Sequence, residues 1–194
     1  MESCLVIIPT YNEIENIHSV IDAVLAQGPQ FSVLIVDDNS PDGTGEVVNI
    51  LKQKESRIHL LQRAGKLGLG TAYIAGFRYG LSHGFDYIFE MDADFSHNPK
   101  DLPRLLEACV QGADMSIGSR YVKGGNIKNW SKDRLFLSYG ASLYVKTITS
   151  LPVQDPTAGF ICYHKRVLEA LDLDKIKFVG YTNPGLRVRV YGSK

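Results

Sequence analysis

Short apolar runs separated by segments of helical period recur through the first 118 residues, and this alternation leaves few folds open. Leu5-Val6-Ile7-Ile8, Val33-Leu34-Ile35-Val36, Ile58-His59-Leu60-Leu61, Tyr87-Ile88-Phe89 and Met115-Ser116-Ile117-Gly118 each read as a strand. Between them, apolar residues fall at helical spacing. Ile14, Ile17, Val20, Ile21, Val24 and Leu25 form one set, stopped by Gly28-Pro29, and Val47, Val48 and Leu51 form another. A third helix follows the glycine-rich loop from Gly65 to Gly70 and ends near His83-Gly84, and Leu102, Leu105, Leu106 and Val110 follow Pro99, which suits a first helical turn. Runs that are apolar throughout, without alternation, belong to strands buried on both faces. Repeated strand-then-helix units with short connections predict an α/β fold, with a mainly parallel, Rossmann-like sheet covered by helices on both faces. Beyond Ser119 the pattern changes to a basic loop (Arg120 to Asn129), a long helix (Trp130 to Ser150), a strand (Gly159 to Tyr163) and a short helix (Lys165 to Leu171). No linker, repeat or low-complexity stretch divides the chain.

With 194 residues, 44% of them hydrophobic, the chain is long enough to bury a substantial core as one domain. Its formal charge is zero, so no overall basic field argues for nucleic acid. Cys4, Cys109 and Cys162 lie far apart in apolar company and read as buried free thiols of a reducing compartment, not as a disulfide framework or zinc site. The start, Met1-Glu2-Ser3-Cys4-Leu5, lacks the layout of a signal peptide, and no apolar run approaches membrane-spanning length. The expectation is a cytoplasmic protein whose contact with a membrane, if any, is peripheral.

The fourth strand runs into Asp92-Ala93-Asp94. In extended backbone, residues two apart project to one side, so both carboxylates can aim at a point beyond the strand end. Ligands of open α/β sheets bind at the carboxyl ends of the strands. Two carboxylates there, completed by water and phosphate oxygens, suit a hard divalent cation such as Mg²⁺ or Mn²⁺ and thereby a phosphorylated substrate. Asp37 and Asp38 end the second strand in the same manner, and they read either as partners for a nucleotide's ribose or base or, with Asn39, as caps for the next helix. Gly65, Gly68 and Gly70 match neither the dinucleotide nor the phosphate-loop spacing, and the first strand ends in Pro9-Thr10-Tyr11-Asn12-Glu13, which argues against NAD chemistry. Arg120, at the end of the fifth strand, and Arg134 could hold phosphate bidentately or serve as surface salt-bridge partners. His97 reads as a turn residue close to the site.

Six segments occur in order: Pro9 to Glu13, Val36 to Thr44, Asp92 to His97, Gly118 to Tyr121, Asn129-Trp130-Ser131 with Arg134, and Asp155 to Phe160. Over about residues 4 to 181 they make the chain resemble the polyprenyl-phosphate (dolichyl-phosphate) mannosyltransferases, inverting glycosyltransferases of the GT-A fold. The first and third segments are generic to that large group. The long second segment, Trp-Ser-x-x-Arg and Asp-Pro-Thr-x-Gly-Phe point to the lipid-phosphate branch.

The resemblance implies transfer of mannose from GDP-mannose to a polyprenyl phosphate lipid with inversion, dependent on Mg²⁺ or Mn²⁺. It places Pro9, Tyr11, Glu13, Val36 and Asp38 in the nucleotide pocket, with Asp92, Ala93 and Asp94 also on the donor side. Asp92 and Asp94, joined by Ser96, would hold the metal, and Arg120, Arg134 and Ser138 the acceptor phosphate. Asp94, Arg120 and Arg134 would carry the reaction. The chain departs from the family after Tyr181, where residues 182–194 form a turn-like, basic tail in place of an acidic segment and a further strand. The expectation is therefore a catalytic domain over 4–181 with an atypical, apparently truncated tail, measurable nucleotide and metal binding, and poor transfer. Trp130 to Ser150, with Leu135, Phe136, Tyr139, Leu143 and Ile148, reads either as an interfacial helix or as one packed in the core. Transfer from another sugar nucleotide or to another acceptor, and nucleotide binding without turnover, remain open on the sequence.

Overall fold

In a computed structural model, residues 2–119, 158–171 and 173 are described. They contain six strands: β1 (Cys4–Thr10), β2 (Phe31–Asp37), β3 (Ile58–Gln62), β4 (Tyr87–Glu90), β5 (Met115–Ile117) and β6 (Ile161–His164). Helices α1 (Ile17–Leu25), α2 (Thr44–Leu51), α3 (Leu69–Ser82) and α4 (Leu102–Val110) follow the first four strands, and α5 (Lys165–Glu169) follows β6. One sheet holds all six strands in the order β3-β2-β1-β4-β6-β5. The first four are parallel in register, while β6 pairs antiparallel with both β4 and β5.

The strand period sorts the apolar side chains into two cores. Cys4, Val6 and Ile8 of β1 face α1, α2 and α4, whereas Leu5 and Ile7 face α3 and α5. β1 is central, and its apolar side chains are wholly buried on both faces, which is why its sequence carries no polar alternation. The expected α/β layering is thus present, and the strand expected near Gly159 to Tyr163 is β6, whose antiparallel insertion between β4 and β5 is unanticipated.

Two helix starts differ from the periodicity. Helix α1 begins at Ile17, not Ile14, because the preceding residues turn toward the β2–α2 loop: Glu13 N–H donates to Thr44 Oγ1 at 3.1 Å and Ile14 N–H to Asp42 Oδ2 at 3.0 Å. Pro99–Asp101 forms a 3-10 turn before α4, with Asn98 Oδ1 accepting from Lys100 N–H at 3.2 Å. All three cysteines are free and buried, and burial pushes the Cys4 thiol up to about 12. No helix among the described residues is long and apolar enough to cross a membrane. The expected helix from Trp130 to Ser150 and the tail 182–194 lie outside the described residues.

Helix α3 lies unusually close to the sheet because Gly76 and Gly80, one turn apart, face β1 and β4. A Cβ at Gly76 would stand 2.7 Å from Ile7 Cγ2, and one at Gly80 would stand 2.6 Å from Ile88 Cδ1. Glycine inside a helix costs about 1 kcal/mol relative to alanine, so the close approach is what it provides here. Gly76→Ala should therefore destabilise the fold by roughly 1–3 kcal/mol despite its better helix propensity. Urea unfolding measures this, and a stabilised variant would contradict the close packing.

Candidate active site

The carboxyl ends of β1, β2 and β4 gather the residues expected to bind ligand. All three non-glycine residues with left-handed backbone among the described residues, Asn12 (φ 61°), Asn39 (φ 57°) and Phe95 (φ 58°), sit just past these strand ends. For Phe95, 43% exposed, the conformation is costly and has no burial to offset it. Strain of this kind collects where a loop must present particular groups.

Asp37 and Asp38 divide their work. The Asp37 side chain is buried and accepts from Thr10 Oγ1 at 3.0 Å, from Ser40 N–H at 3.0 Å and from the Ser40 hydroxyl. It joins the ends of β1 and β2 and is spent on structure. Neither aspartate caps α2, whose N-cap is Gly43 at φ 92°. Asp38 instead meets Arg63 as a fork: Nε to Oδ1 at 2.5 Å and Nη2 to Oδ2 at 2.7 Å. Arg63 also donates to Thr71 Oγ1 at 2.7 Å and to Gly68 O at 3.3 Å, so it fastens the glycine-rich loop to the end of β2. That loop brings Lys66 Nζ to 4.5 Å from the Tyr11 ring centroid. Sequence reasoning missed Arg63 and Lys66, whose only signal was position just past β3.

Beyond β4 the strand alternation continues for two more pairs. Met91 and Ala93 are buried, while Asp92 is half-buried and Asp94 exposed. Both carboxylates thus stay on the side away from the core, as the spacing predicts. Burial opposes ionisation of Asp94, but hydrogen bonds from the Ser96 hydroxyl and backbone N–H outweigh it and hold the carboxyl below its usual range. Asp92 receives Tyr73 OH at Oδ1, 3.4 Å, and its backbone N–H donates to His97 Nδ1 at 3.1 Å. His97 is therefore part of the site framework, not a bystander in the turn. Its ring stacks on Phe160 (centroids 5.1 Å apart, 9° between planes), and a Cβ on Gly159 would stand 3.4 Å from His97 Cε1 and 3.7 Å from Asp92 Oδ2. The end of the Asp-Pro-Thr-Ala-Gly-Phe segment is thereby brought against the paired aspartates. A methyl at Gly159 would be in ordinary van der Waals contact with both His97 and Asp92.

Pro9, Tyr11 and Glu13 lie at the same rim, partly or well exposed. The side chains of Val36 and Ala93 face the core, so contact with a ligand falls to their main chain. Among the described residues no three His, Cys, Asp or Glu side chains converge on a metal position. Two oxygen-donor carboxylates two residues apart nevertheless suit, by their chemistry, a hard cation shared with substrate phosphates, which Mg²⁺ accepts readily. Arg120, Arg134 and Ser138 lie outside the described residues.

A family model described as glycosyl transferase family 2 matches residues 5–172. The polyprenol monophosphomannose synthase of Mycolicibacterium smegmatis is 47% identical over 178 residues, covering 91% of this chain and 67% of that protein. The undecaprenyl-phosphate mannosyltransferase of Micrococcus luteus is 49% identical over 177 residues, covering 91% and 72%. In fold, the chain is similar to a mannosyltransferase of Pyrobaculum calidifontis solved with GDP-mannose and Mn²⁺, at TM-score 0.56 and 17% identity, over 86% of this chain and 45% of that one. It is also similar to glucosyl-3-phosphoglycerate synthase of Mycobacterium tuberculosis, at TM-score 0.59 and 20% identity, over 88% and 59%.

One carboxyl at this rim is of a different kind. Glu90, the last residue of β4, is buried, and burial pushes its carboxyl up to about 8, opposed by a hydrogen bond from Tyr163 OH at 3.2 Å and helped to a lesser degree by the charge of Asp92. The folded chain thus holds this proton more tightly than the unfolded chain, whose glutamate ionises near 4.5. Its contribution is favourable at low pH and is lost as pH rises from about 4.5 to about 8. Glu90→Gln, which keeps the acceptor oxygen, should remove that loss and be more stable than wild type at pH 8.5 by on the order of a few kcal/mol. Thermal melts from pH 5 to 9 check it; parallel curves for the two proteins would refute it.

Proposed function

We propose, for a chain that belongs to glycosyl transferase family 2, that it transfers mannose from GDP-mannose to a polyprenyl phosphate with inversion at the anomeric carbon. The observation that carries this reading is that Asp92 and Asp94 follow the carboxyl end of β4 while the Asp38–Arg63 pair follows that of β2, at the same end of one parallel sheet. It occurs in a chain sharing 47% and 49% identity with relatives named for mannose and polyprenyl phosphate. The neighbour of similar fold solved with GDP-mannose and Mn²⁺ supports the choice of donor and metal.

On this reading the nucleoside lies at the ends of β1 and β2. Tyr11 and Lys66 offer it a ring face and a cation, while Asp38 and Arg63 offer an acceptor and donors. Pro9, Glu13 and the main chain of Val36 line the same rim. Asp92 and Asp94, with Ser96 fixing Asp94, would hold Mg²⁺ or Mn²⁺. The cation, when bound, would neutralise charge that builds on the departing diphosphate. Arg120, Arg134 and Ser138 would grip the acceptor phosphate, the arginines by their planar forks. A phosphate monoester, with a second pKa near 6, is already anionic at neutral pH. No residue then has to remove a proton from the nucleophile, and orientation by the arginines supplies the rest. The acceptor's lipid chain brings the enzyme to the membrane surface, in peripheral contact.

Release of GDP from GDP-mannose, and of UDP from UDP-glucose, measured with and without a polyprenyl phosphate, tests the assignment. Release should require both GDP-mannose and the lipid phosphate; equal turnover of UDP-glucose, or release indifferent to the lipid, would sink it. Alanine at Asp92 or Asp94 should lower transfer on the order of a hundredfold or more and make GDP binding less metal-dependent. Arg120→Lys and Arg134→Lys keep charge but lose the fork, so transfer should fall with GDP affinity nearly intact. Isothermal titration with GDP decides this, since an equal loss of GDP affinity would move both arginines to the donor side.

A further inference from the structure

The position of Tyr73 on α3 asks for an aromatic ring but not for a hydroxyl. The side chain is 4% exposed, its ring stacks on Phe77 (centroids 6.4 Å, 25°), and Phe77 in turn meets Tyr163 edge-on (5.5 Å, 75°). Phenylalanine would fill this apolar cluster equally well. The hydroxyl leaves the cluster and points at Asp92 Oδ1, 3.4 Å away. Asp92 is therefore held at its main chain by His97 Nδ1, and at its carboxylate it meets Tyr73 OH at Oδ1 and His97 Nδ1, 3.8 Å away, at Oδ2.

Helix α3 is well placed to impose that geometry. Gly76 and Gly80 seat it closely on β1 and β4, and its first turn is tied through Thr71 and Gly68 to Arg63. A hydroxyl carried on such a helix keeps a stable position relative to β4, from which Asp92 extends. Groups that hydrogen-bond to a metal ligand without touching the metal set the ligand's orientation and strongly affect affinity.

We propose that Tyr73 is a positioning residue for Asp92, its hydroxyl holding the carboxylate in the orientation from which it takes up a divalent cation. This rests on the reading of Asp92 as a metal ligand. The test measures Mn²⁺ binding in the presence of GDP, by the electron paramagnetic resonance of free Mn²⁺, for wild type, Tyr73→Phe, Asp92→Asn and Tyr79→Phe. Tyr79→Phe removes a comparable hydroxyl further along the same helix, where it meets His59 Nδ1 at 3.1 Å.

Tyr73→Phe should bind Mn²⁺ about tenfold more weakly, within the range typical of outer-shell partners, with its thermal midpoint and its GDP affinity in EDTA unchanged. Tyr79→Phe should match wild type. Wild-type Mn²⁺ affinity in Tyr73→Phe, when Asp92→Asn has lost it, overturns the positioning role alone. Retained affinity in Asp92→Asn overturns the metal assignment and the proposal with it. An equal loss in Tyr73→Phe and Tyr79→Phe would mean a loosened helix and also overturns it.

Discussion

Strand ends in a twisted parallel sheet diverge, and the loops that leave them have no ladder to hold them together. In this protein the Asp37 side chain supplies the missing tie. Buried at the end of β2, it collects the Thr10 hydroxyl from β1 and both the amide and hydroxyl of Ser40. Further bonds from Ser40, Asp42 and Thr44 reach the amides of Asn12, Ile14 and Glu13. The rim that presents Tyr11 and Asp38 is therefore one stitched unit, not two independent loops. A buried polar group engaged so fully is expensive to leave unpaired, which gives this short stretch its rigidity.

On that rim, two acidic residues adjacent in sequence have opposite fates. Asp37, pointing inward, serves the fold; Asp38, one residue on, is turned toward Arg63. The same division recurs along β4, where buried Glu90 is followed by the outward Asp92 and Asp94. Asp38 and the Asp92–Asp94 pair thus each follow a carboxyl engaged by neighbouring hydroxyls: Thr10 and Ser40 for Asp37, Tyr163 for Glu90.

Much of this was legible beforehand. The strand runs, their burial on both faces and the outward projection of Asp92 and Asp94 follow from period alone, because backbone geometry imposes them locally. What sequence could not supply is what depends on distant partners. Asp37 and Asp38 are chemically identical, and only their neighbours in space tell them apart. Arg63 follows β3 but acts at the end of β2, 25 residues earlier in the chain. The role of His97 depends on Phe160, which arrives with a strand inserted from far downstream. Even the start of α1 was set by Asp42 and Thr44 and not by its own apolar spacing.

The insertion of β6 between β4 and β5 has a consequence in time. Among the described residues β5 ends the sheet with β6 as its ladder partner, and Ile117 must wait for Ile161 to be made before that register exists. During synthesis, β1 to β4 can pair in parallel as soon as they emerge, because each has a neighbour already present. The rim at the ends of β1 and β2 is thus assembled early. The edge of β4 stays open until a strand running the other way closes it, and β5 docks after β6 although it is translated before it. Such a delay leaves an unpaired strand edge exposed on the growing chain, the kind of surface that invites misassociation.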